Sequence, residues 1–407
     1  MSKLFIAEYI SKFSCIGSKC EDNCCGKWQV FVDKKSYERY EKLDQEGTSN
    51  LLQFIEKNDA SEYEYEYAKL KIDSDKMCPL LTEEGLCQIH RDYGFDALCD
   101  TCKHYPKVTR KINDAYYQTG YLSCPEMARV ILRSKSLPEW KLLMAEDSVD
   151  QILLSEVTVN RNYMKNIHTN IKDVFKQRHF SLSKRIWLIG IYIGKLHIAM
   201  KEKKGTNKAI ALAEKEVKRR MKDGISHYIE EKMSILLPGI IKMENSFSPE
   251  EITQHTLVLR FSECVTLFKE GMQIQDKEQI NVKEFAGIYR KNRDTFYQLF
   301  FDEHEYMLEN YCLYYFQHEI FPYDDTNLPK KYLLFVIEFS ILKLFLVGIS
   351  ASSSGLNEQI IVQLFQTYSK WFNHSVEEYE EYIVAIHDQL YERTQDFYEM
   401  SNILVSE

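Results

Sequence analysis

The sequence predicts an α+β, cysteine-rich N-terminal metal-binding module over residues 1–135, followed by a mainly α-helical body over residues 136–407. Three observations carry this. Nine of the 11 cysteines fall within residues 1–124, and only Cys264 and Cys312 lie beyond. Up to about residue 135, short extended patterns alternate with turn residues. After it, apolar positions recur at helical period with almost no internal proline.

Composition narrows the class. Hydrophobic residues make up 44% and charged residues 28%, which suits a globular chain with a sizeable core and excludes global disorder. Gly 15 and Pro 8 exclude collagen-like and proline-rich linker classes. The net charge of −9 argues against binding along a nucleic-acid backbone, which needs basic surface. No period of 20–50 residues repeats, so a solenoid is excluded.

The elements follow in order. Glu8 interrupts the start before a signal-like apolar run forms, so the chain is expected to be cytoplasmic with reduced thiols. Trp28–Asp33 reads as a strand, and Asp33 as the cap of the helix behind it. Residues 62–72 read as extended, with Tyr63, Tyr65 and Tyr67 on one side. Val108–Ile112 and Ala115–Leu122 flank Asn113-Asp114 and predict a β-hairpin. Cys124-Pro125-Glu126 opens a helix, with proline at its first position. Pro138-Glu139, Ser183 and Ser248-Pro249-Glu250-Glu251 read as further helix starts. Helical periods cover 186–200, 209–222, 250–270, 282–316, 332–350 and 376–400. The apolar stretch Tyr332–Ala351 is long enough to span a bilayer, but Glu338 and Lys343 near its middle predict a buried helix without membrane insertion.

The cysteines form two groups, Cys15-x4-Cys20-x3-Cys24-Cys25 and Cys78, Cys87, Cys99-x2-Cys102, Cys124. Short spacing lets thiolates converge on one ion without long loop closure. Soft thiolates select zinc or iron–sulfur centres, and spacing alone leaves both open. Cys24 and Cys25 point opposite ways in an extended segment, so one packs while the other ligates, or the chain turns at Gly26. Cys124 and Cys78-Pro79 fall where helices are expected to begin, which favours thiolate. His90, three residues after Cys87, reads as a hydrogen-bonded loop histidine, with a nitrogen ligand to the metal as the alternative. No Cys-x3-Cys-x2-Cys triplet occurs, so the usual radical S-adenosylmethionine signature is missing. Nor does a Gly-x-Gly-x-x-Gly loop follow a strand. Gly190 and Gly194 read as packing positions, Cys264 and Cys312 as core, and Asn373-His374-Ser375 as the start of a capping box closed by Glu378.

Cys15-Ile-Gly-Ser-Lys-Cys20-Glu-Asp22-Asn-Cys24-Cys25-Gly-Lys-Trp28 resembles the signature of the flagellin lysine N-methylase family. Cys78-Pro79-Leu80-Leu81, Gly85-Leu86-Cys87-Gln88-Ile89-His90, Cys102-Lys-His-Tyr105-Pro106 and Ser123-Cys124-Pro125-Glu126-Met127-Ala128-Arg129 resemble it too, as do Leu308-Glu309-Asn310-Tyr311 and Phe321-Pro322. The likeness is dense over residues 1–135 and thinner beyond. It implies methyl transfer from S-adenosylmethionine to lysine ε-amines of flagellin in the cytoplasm. It also implies a [4Fe–4S] cluster held by ligands from Cys15, Cys20, Cys24, Cys25, Cys78, Cys87, Cys102 and Cys124, with Cys99 the weaker member. Eight thiols exceed one cluster's demand. The cysteine half also resembles a wider group of zinc- or iron-chelating proteins, and the alternative function is a non-catalytic metal-binding module with a helical docking body. Lysine methylation needs a deprotonated amine in line with the methyl sulfonium, which a desolvated tyrosine- or carboxylate-lined channel would provide. Asp22, Tyr105 and Glu309 are the candidate catalytic residues, each with a structural hydrogen-bonding role as the alternative.

Overall fold

The structure is a computed structural model that describes residues 2–22, 24–25, 28–72, 77–82, 85–145, 153–157, 161–245, 256–274, 281–319, 321, 327–372 and 379–407. The expected turn at Gly26, the helix start at Ser248–Glu251, Pro322 and the Asn373–Glu378 cap lie outside them. The chain divides into two compact units, residues 1–130 with 139–156, and residues 131–138 with 157–407.

The first unit holds the strands β1 (Ser2–Ala7), β2 (Phe31–Val32), β3 (Ile55–Lys57), β4 (Ala68–Leu70), β5 (Lys107–Ile112), β6 (Ala115–Gly120), β7 (Trp140–Ala145) and β8 (Leu153–Val157). Five of them form a sheet in the order β7-β1-β6-β5-β8, and the other three a small sheet in the order β2-β4-β3. The near-continuous apolar run of β1 suits its inner place: it pairs parallel with β6 and antiparallel with β7, and Phe5 stacks on Tyr117 at 4.8 Å. The β5–β6 hairpin turns at Asn113, whose φ of 56° is one that asparagine tolerates. Among the described residues the unit's α-helices are α1 (Lys34–Gln45), α2 (Gln88–Tyr93), α3 (Asp100–His104) and α4 (Pro125–Leu132), the last carrying the chain into the second unit.

Asp33 caps α1 as its residue type predicts, accepting from the Ser36 N–H at 2.9 Å. Its other oxygen accepts from the Asp100 N–H at the start of α3, also at 2.9 Å. Burial pushes this carboxyl up, but the two N–H groups outweigh it and hold it below the usual range.

Four local expectations need correction. Residues 140–145 are a strand, so Pro138-Glu139 opens no helix and the helical part starts later than residue 136. The sequence Trp-Lys-Leu-Leu-Met-Ala favours a helix by propensity, and pairing with β1 overrides it. Residues 64–66 form a 3₁₀ turn, which leaves only Ala68–Leu70 extended; Tyr63 and Tyr65 stack on each other at 5.2 Å in solvent, while Tyr67 packs on Tyr37. The strand expected over Trp28–Asp33 shortens to Phe31–Val32, because its partner β4 is only three residues long. Cys78-Pro79 enters a tight turn closed by Leu81 N–H to Cys78 C=O at 3.0 Å rather than a helix.

The second unit is helical apart from its connections. Its helices are α5 (Arg161–Phe175), α6 (Leu182–Lys201), α7 (Thr206–Arg220), α8 (Ile229–Asn245), α9 (Thr256–Met272), α10 (Val282–Asn292), α11 (Gln298–His318), α12 (Leu328–Ser350), α13 (Glu358–Phe372), α14 (Ala385–Thr394) and α15 (Phe397–Val405). Single π turns, Arg293–Tyr297 and Glu380–Val384, precede α11 and α14. Ser181 rather than Ser183 caps α6, accepting from the Lys184 N–H at 3.3 Å. Gln395, at φ 55°, separates α14 from α15 inside the long helical period expected over 376–400.

α12 is the axis of this unit. By length and composition it is able to cross a membrane, yet 94% of its most apolar window is buried inside the protein. α6, α9 and α15 pack against it. At the crossing with α9, a Cβ on Gly271 would run into the Gly348 carbonyl, so the backbones touch where only glycine fits. Gly190 is likewise a packing position, since a Cβ there would meet the Tyr332 hydroxyl at 2.6 Å. Cys264 and Cys312 are fully buried in this core.

Candidate functional site

The first unit's core joins aliphatic side chains to sulfur. Val30, Val32, Leu51, Ile55 and Leu70 pack in one cluster with buried Cys78 and Cys99, and Cys25, Cys87 and Cys102 pack against it. The segment bearing Cys24 and Cys25 is fixed from two sides. The Cys25 carbonyl accepts from the Cys78 N–H at 2.7 Å, and the Cys24 carbonyl accepts from the Trp28 indole at 2.9 Å. The Cys24 and Cys25 sulfurs stand 3.9 Å apart. Two thiolates on one tetrahedral zinc are separated by about 3.8 Å, given Zn–S bonds of ~2.3 Å.

Helix starts and turns aim N–H groups at the sulfurs. Cys87 precedes α2, and the Ile89 and His90 N–H groups donate to its sulfur. Cys124 precedes α4 and receives the N–H groups of Glu126 and Met127. Cys99 precedes α3 and receives the Cys102 N–H, while Cys78 receives that of Leu80. Cys20 receives the Asp22 N–H. These bonds favour thiolate over thiol.

Burial opposes them. It raises the thiols of Cys20 and Cys87 and pushes Cys78 and Cys124 up to about 12. The sulfurs also act on one another. The bond between Cys99 and Cys102 lowers Cys99 and raises Cys102, and contact with Cys24 raises Cys25. A group of buried, mutually repelling sulfurs becomes a thiolate cluster only with positive charge among them.

Among the described residues, no three Cys, His, Asp or Glu side chains converge on a point able to hold one ion. The donor chemistry nevertheless fits a thiolate-bound centre: soft ligands gathered in one neighbourhood, five of them backed by amide donors. Cys24, Cys25, Cys78, Cys87, Cys99 and Cys102 act on one another, and Cys20 and Cys124 join through Cys124. Cys99, the weaker member by motif, stands buried within the group, whereas Cys15 is exposed and accepts from the Gly17 N–H at 3.4 Å. The two-residue spacing of Cys99 and Cys102, one helical turn, was the signal for Cys99. His90 is exposed, and only its backbone N–H reaches a sulfur.

The three candidate catalytic residues occupy different settings. Asp22 is 5% exposed beside Cys20. Its neighbour Glu21 pairs with Arg129, which also donates to Glu126 at 2.7 Å and so ties this loop to α4. Tyr105 packs on Trp28 at 5.6 Å, its hydroxyl 3.1 Å from Ser123 Oγ, and burial raises it well above the usual tyrosine range. Glu309 lies in the second unit, 1% exposed, where it accepts from Arg178 at 2.7 Å and from fully buried Arg185. Next to it, Asn310 donates to the Ser134 carbonyl at 2.7 Å. The Leu308–Tyr311 block therefore carries internal clamps of the helical unit.

Comparison with known proteins follows this division. A family model described as the FliB lysine N-methylase C-terminal domain matches residues 169–405, more than half of the chain and wholly within the second unit. The chain is also similar to proteins named lysine-N-methylase from Salmonella typhimurium strain LT2 and Salmonella choleraesuis strain SC-B67. Each is 27% identical over 139 residues, covering 32% of this chain and 33% of the relative. A flagellar biosynthetic protein FliU from Salmonella muenchen is 27% identical over 139 residues, covering 32% of this chain and 79% of that protein. The chain thus spans about a third of the length of the first two relatives it matches. No solved structure matches.

Proposed function

The chain belongs to the FliB lysine N-methylase family, and from that premise we propose that it transfers a methyl group from S-adenosylmethionine to lysine ε-amines of flagellin. The observation that carries this reading is the family match over residues 169–405. The relatives' names, lysine-N-methylase and flagellar biosynthetic protein, support lysine as acceptor and a flagellar protein as substrate.

We propose further that the cysteine group holds a metal centre, an iron–sulfur cluster in preference to zinc, with its ligands drawn from Cys20, Cys24, Cys25, Cys78, Cys87, Cys99, Cys102 and Cys124. Such a centre would supply the positive charge that lets these buried sulfurs ionise, together with redox capacity if it is iron–sulfur. The chain's own residues then do the remaining work on that side. Amide donors at Cys78, Cys87, Cys99 and Cys124 orient the sulfurs, and the Glu21–Arg129–Glu126 ties hold the Cys20 loop on α4.

Anaerobic purification with metal analysis tests the centre. Iron and sulfide with broad visible absorption are expected, and stoichiometric zinc without it would replace the cluster by a zinc scaffold. Incubation with labelled S-adenosylmethionine and flagellin tests the reaction. Label on flagellin lysines is expected; none from metal-replete protein would leave a non-catalytic metal-binding module as the better reading.

A further inference from the structure

α12 carries a buried acid, Glu338, set among tyrosines. Glu338 is 4% exposed and makes no ion pair among the described residues. The groups acting on it are the Tyr379 hydroxyl, donating at 2.8 Å, the Tyr315 hydroxyl, donating at 3.3 Å, and the Glu319 carboxylate. Tyr311 from α11 and Tyr368 from α13 face the same carboxylate. The Tyr368 side chain is 2% exposed, and among the described residues its buried hydroxyl has no hydrogen-bond partner. Four tyrosines and two carboxyl groups therefore stand together with an unused polar atom among them. Tyr315, Glu319 and Tyr379 are only half-buried, so the cluster reaches solvent. Tyr379 also leads into the π turn Glu380–Val384, a kind of helix irregularity frequent at functional sites.

Burial pushes the Glu338 carboxyl up to about 8, close to the range of a general base at neutral pH. Electron-rich ring faces beside carboxylates complement one kind of ligand, a cation stripped of water on an apolar stem. Resting on the methyl-transfer reading above, we propose that this cluster receives the ε-ammonium of the acceptor lysine and that Glu338 takes its proton. One N–H proton passes to the carboxylate and leaves a lone pair on nitrogen. That pair forms the N–C bond to the methyl of the sulfonium donor as the C–S bond breaks, and the electron pair of the broken bond stays on sulfur as a neutral thioether. The Tyr315 and Tyr379 hydroxyls hold the carboxylate, and Tyr368 offers its free oxygen to a remaining N–H, which turns the lone pair outward. The proton on Glu338 returns to solvent past the half-buried rim.

Two measurements on the full, metal-replete protein test this. In flagellin labelling, Glu338→Gln keeps the shape without the charge and is expected to lower kcat/KM about 10²- to 10³-fold. It should also flatten the rise in rate expected of the unsubstituted protein as pH approaches 8. In titration with n-butylammonium, followed by tyrosine absorbance, the same variant should bind about tenfold more weakly. Unchanged rate and pH profile in Glu338→Gln, or equal butylammonium binding by the two proteins, would overturn the assignment. If the unsubstituted protein labels no flagellin, the methyl-transfer reading fails. Butylammonium then decides separately: Glu338-dependent binding keeps the ammonium site, and equal or absent binding removes it.

Discussion

Sulfur is built into the aliphatic core of the first unit, and aromatic carbon fills that of the second. Cys78 and Cys99 sit inside the first unit's hydrophobic cluster, whereas Phe261, Phe268, Phe316, Phe335, Phe345, Phe365 and Phe372 are fully buried in the second. The second kind of core closes on itself, because each ring gains by leaving water and by edge or stacked contacts such as Phe268 on Phe345 at 4.6 Å. The first kind is held back by its own chemistry. Burial raises the Cys78 thiol and the bond to Cys99 raises Cys102, so these two contribute as small apolar groups unless a cation arrives. One unit is therefore complete as a polypeptide, and the other is expected to depend on something outside the chain.

Metal removal should break that symmetry most widely. Structural thiolate sites contribute roughly 10–16 kcal/mol in small domains. Chelation should strip amide-exchange protection from residues around Cys78, Cys87 and Cys99 and leave α6 and α12 protected. Equal loss in both units would defeat the comparison. Inside the second unit, Glu309→Ala removes one of the two carboxylates that pair with buried Arg185 and leaves Glu305 as the other, and a loss of about 3 kcal/mol in chemical denaturation is expected. Gly271→Ala drives a methyl into the Gly348 carbonyl and should destabilise by about 1–3 kcal/mol, seen as a lower Tm with cofactor binding intact. Asp33→Ala removes one cap and one link to α3, at about 1 kcal/mol, confined to the first unit.

Two acids that act on α12 sharpen the contrast within one helix. Glu338 is raised by burial, so the folded chain holds its proton more tightly than the unfolded chain. Its contribution to stability is complete below the ordinary carboxyl range and is lost as pH rises through about 8. Glu407 is half-buried, which raises it, but Lys343, Ser183 and Lys232 outweigh burial and bring it down to about 2. Its contribution is present above the ordinary carboxyl range and is lost as pH falls toward 2. Thermal melts across pH should show a maximum between these limbs. Glu338→Gln should remove the alkaline limb and Glu407→Gln the acid one.

The helices of the second unit were legible where apolar periodicity was long, as in α6, α7, α9 to α12 and α14. α5, α8 and α13 were passed over although they too pack as helices. β1 and β7 were invisible for another reason: their strand character comes from partners more than a hundred residues away, which no local pattern reports. The cysteine group was readable because sulfur is rare and its spacing short. Glu338 was read only as a sign that Tyr332–Ala351 does not lie in a membrane, since its four tyrosines come from three separate segments and 27 tyrosines give abundance no weight.

That burial of α12 has a consequence in time. The helix leaves the ribosome before α13, α14 and α15, which belong to the same unit, so a segment of 23 residues with mean hydropathy 2.2 in its core waits for partners still being made. During that interval it resembles an insertion signal, and the two charges near its middle cost roughly 2.5–3.5 kcal/mol each at a bilayer centre. Until its partners are made, Glu338 and Lys343 are what makes a bilayer unfavourable for this segment.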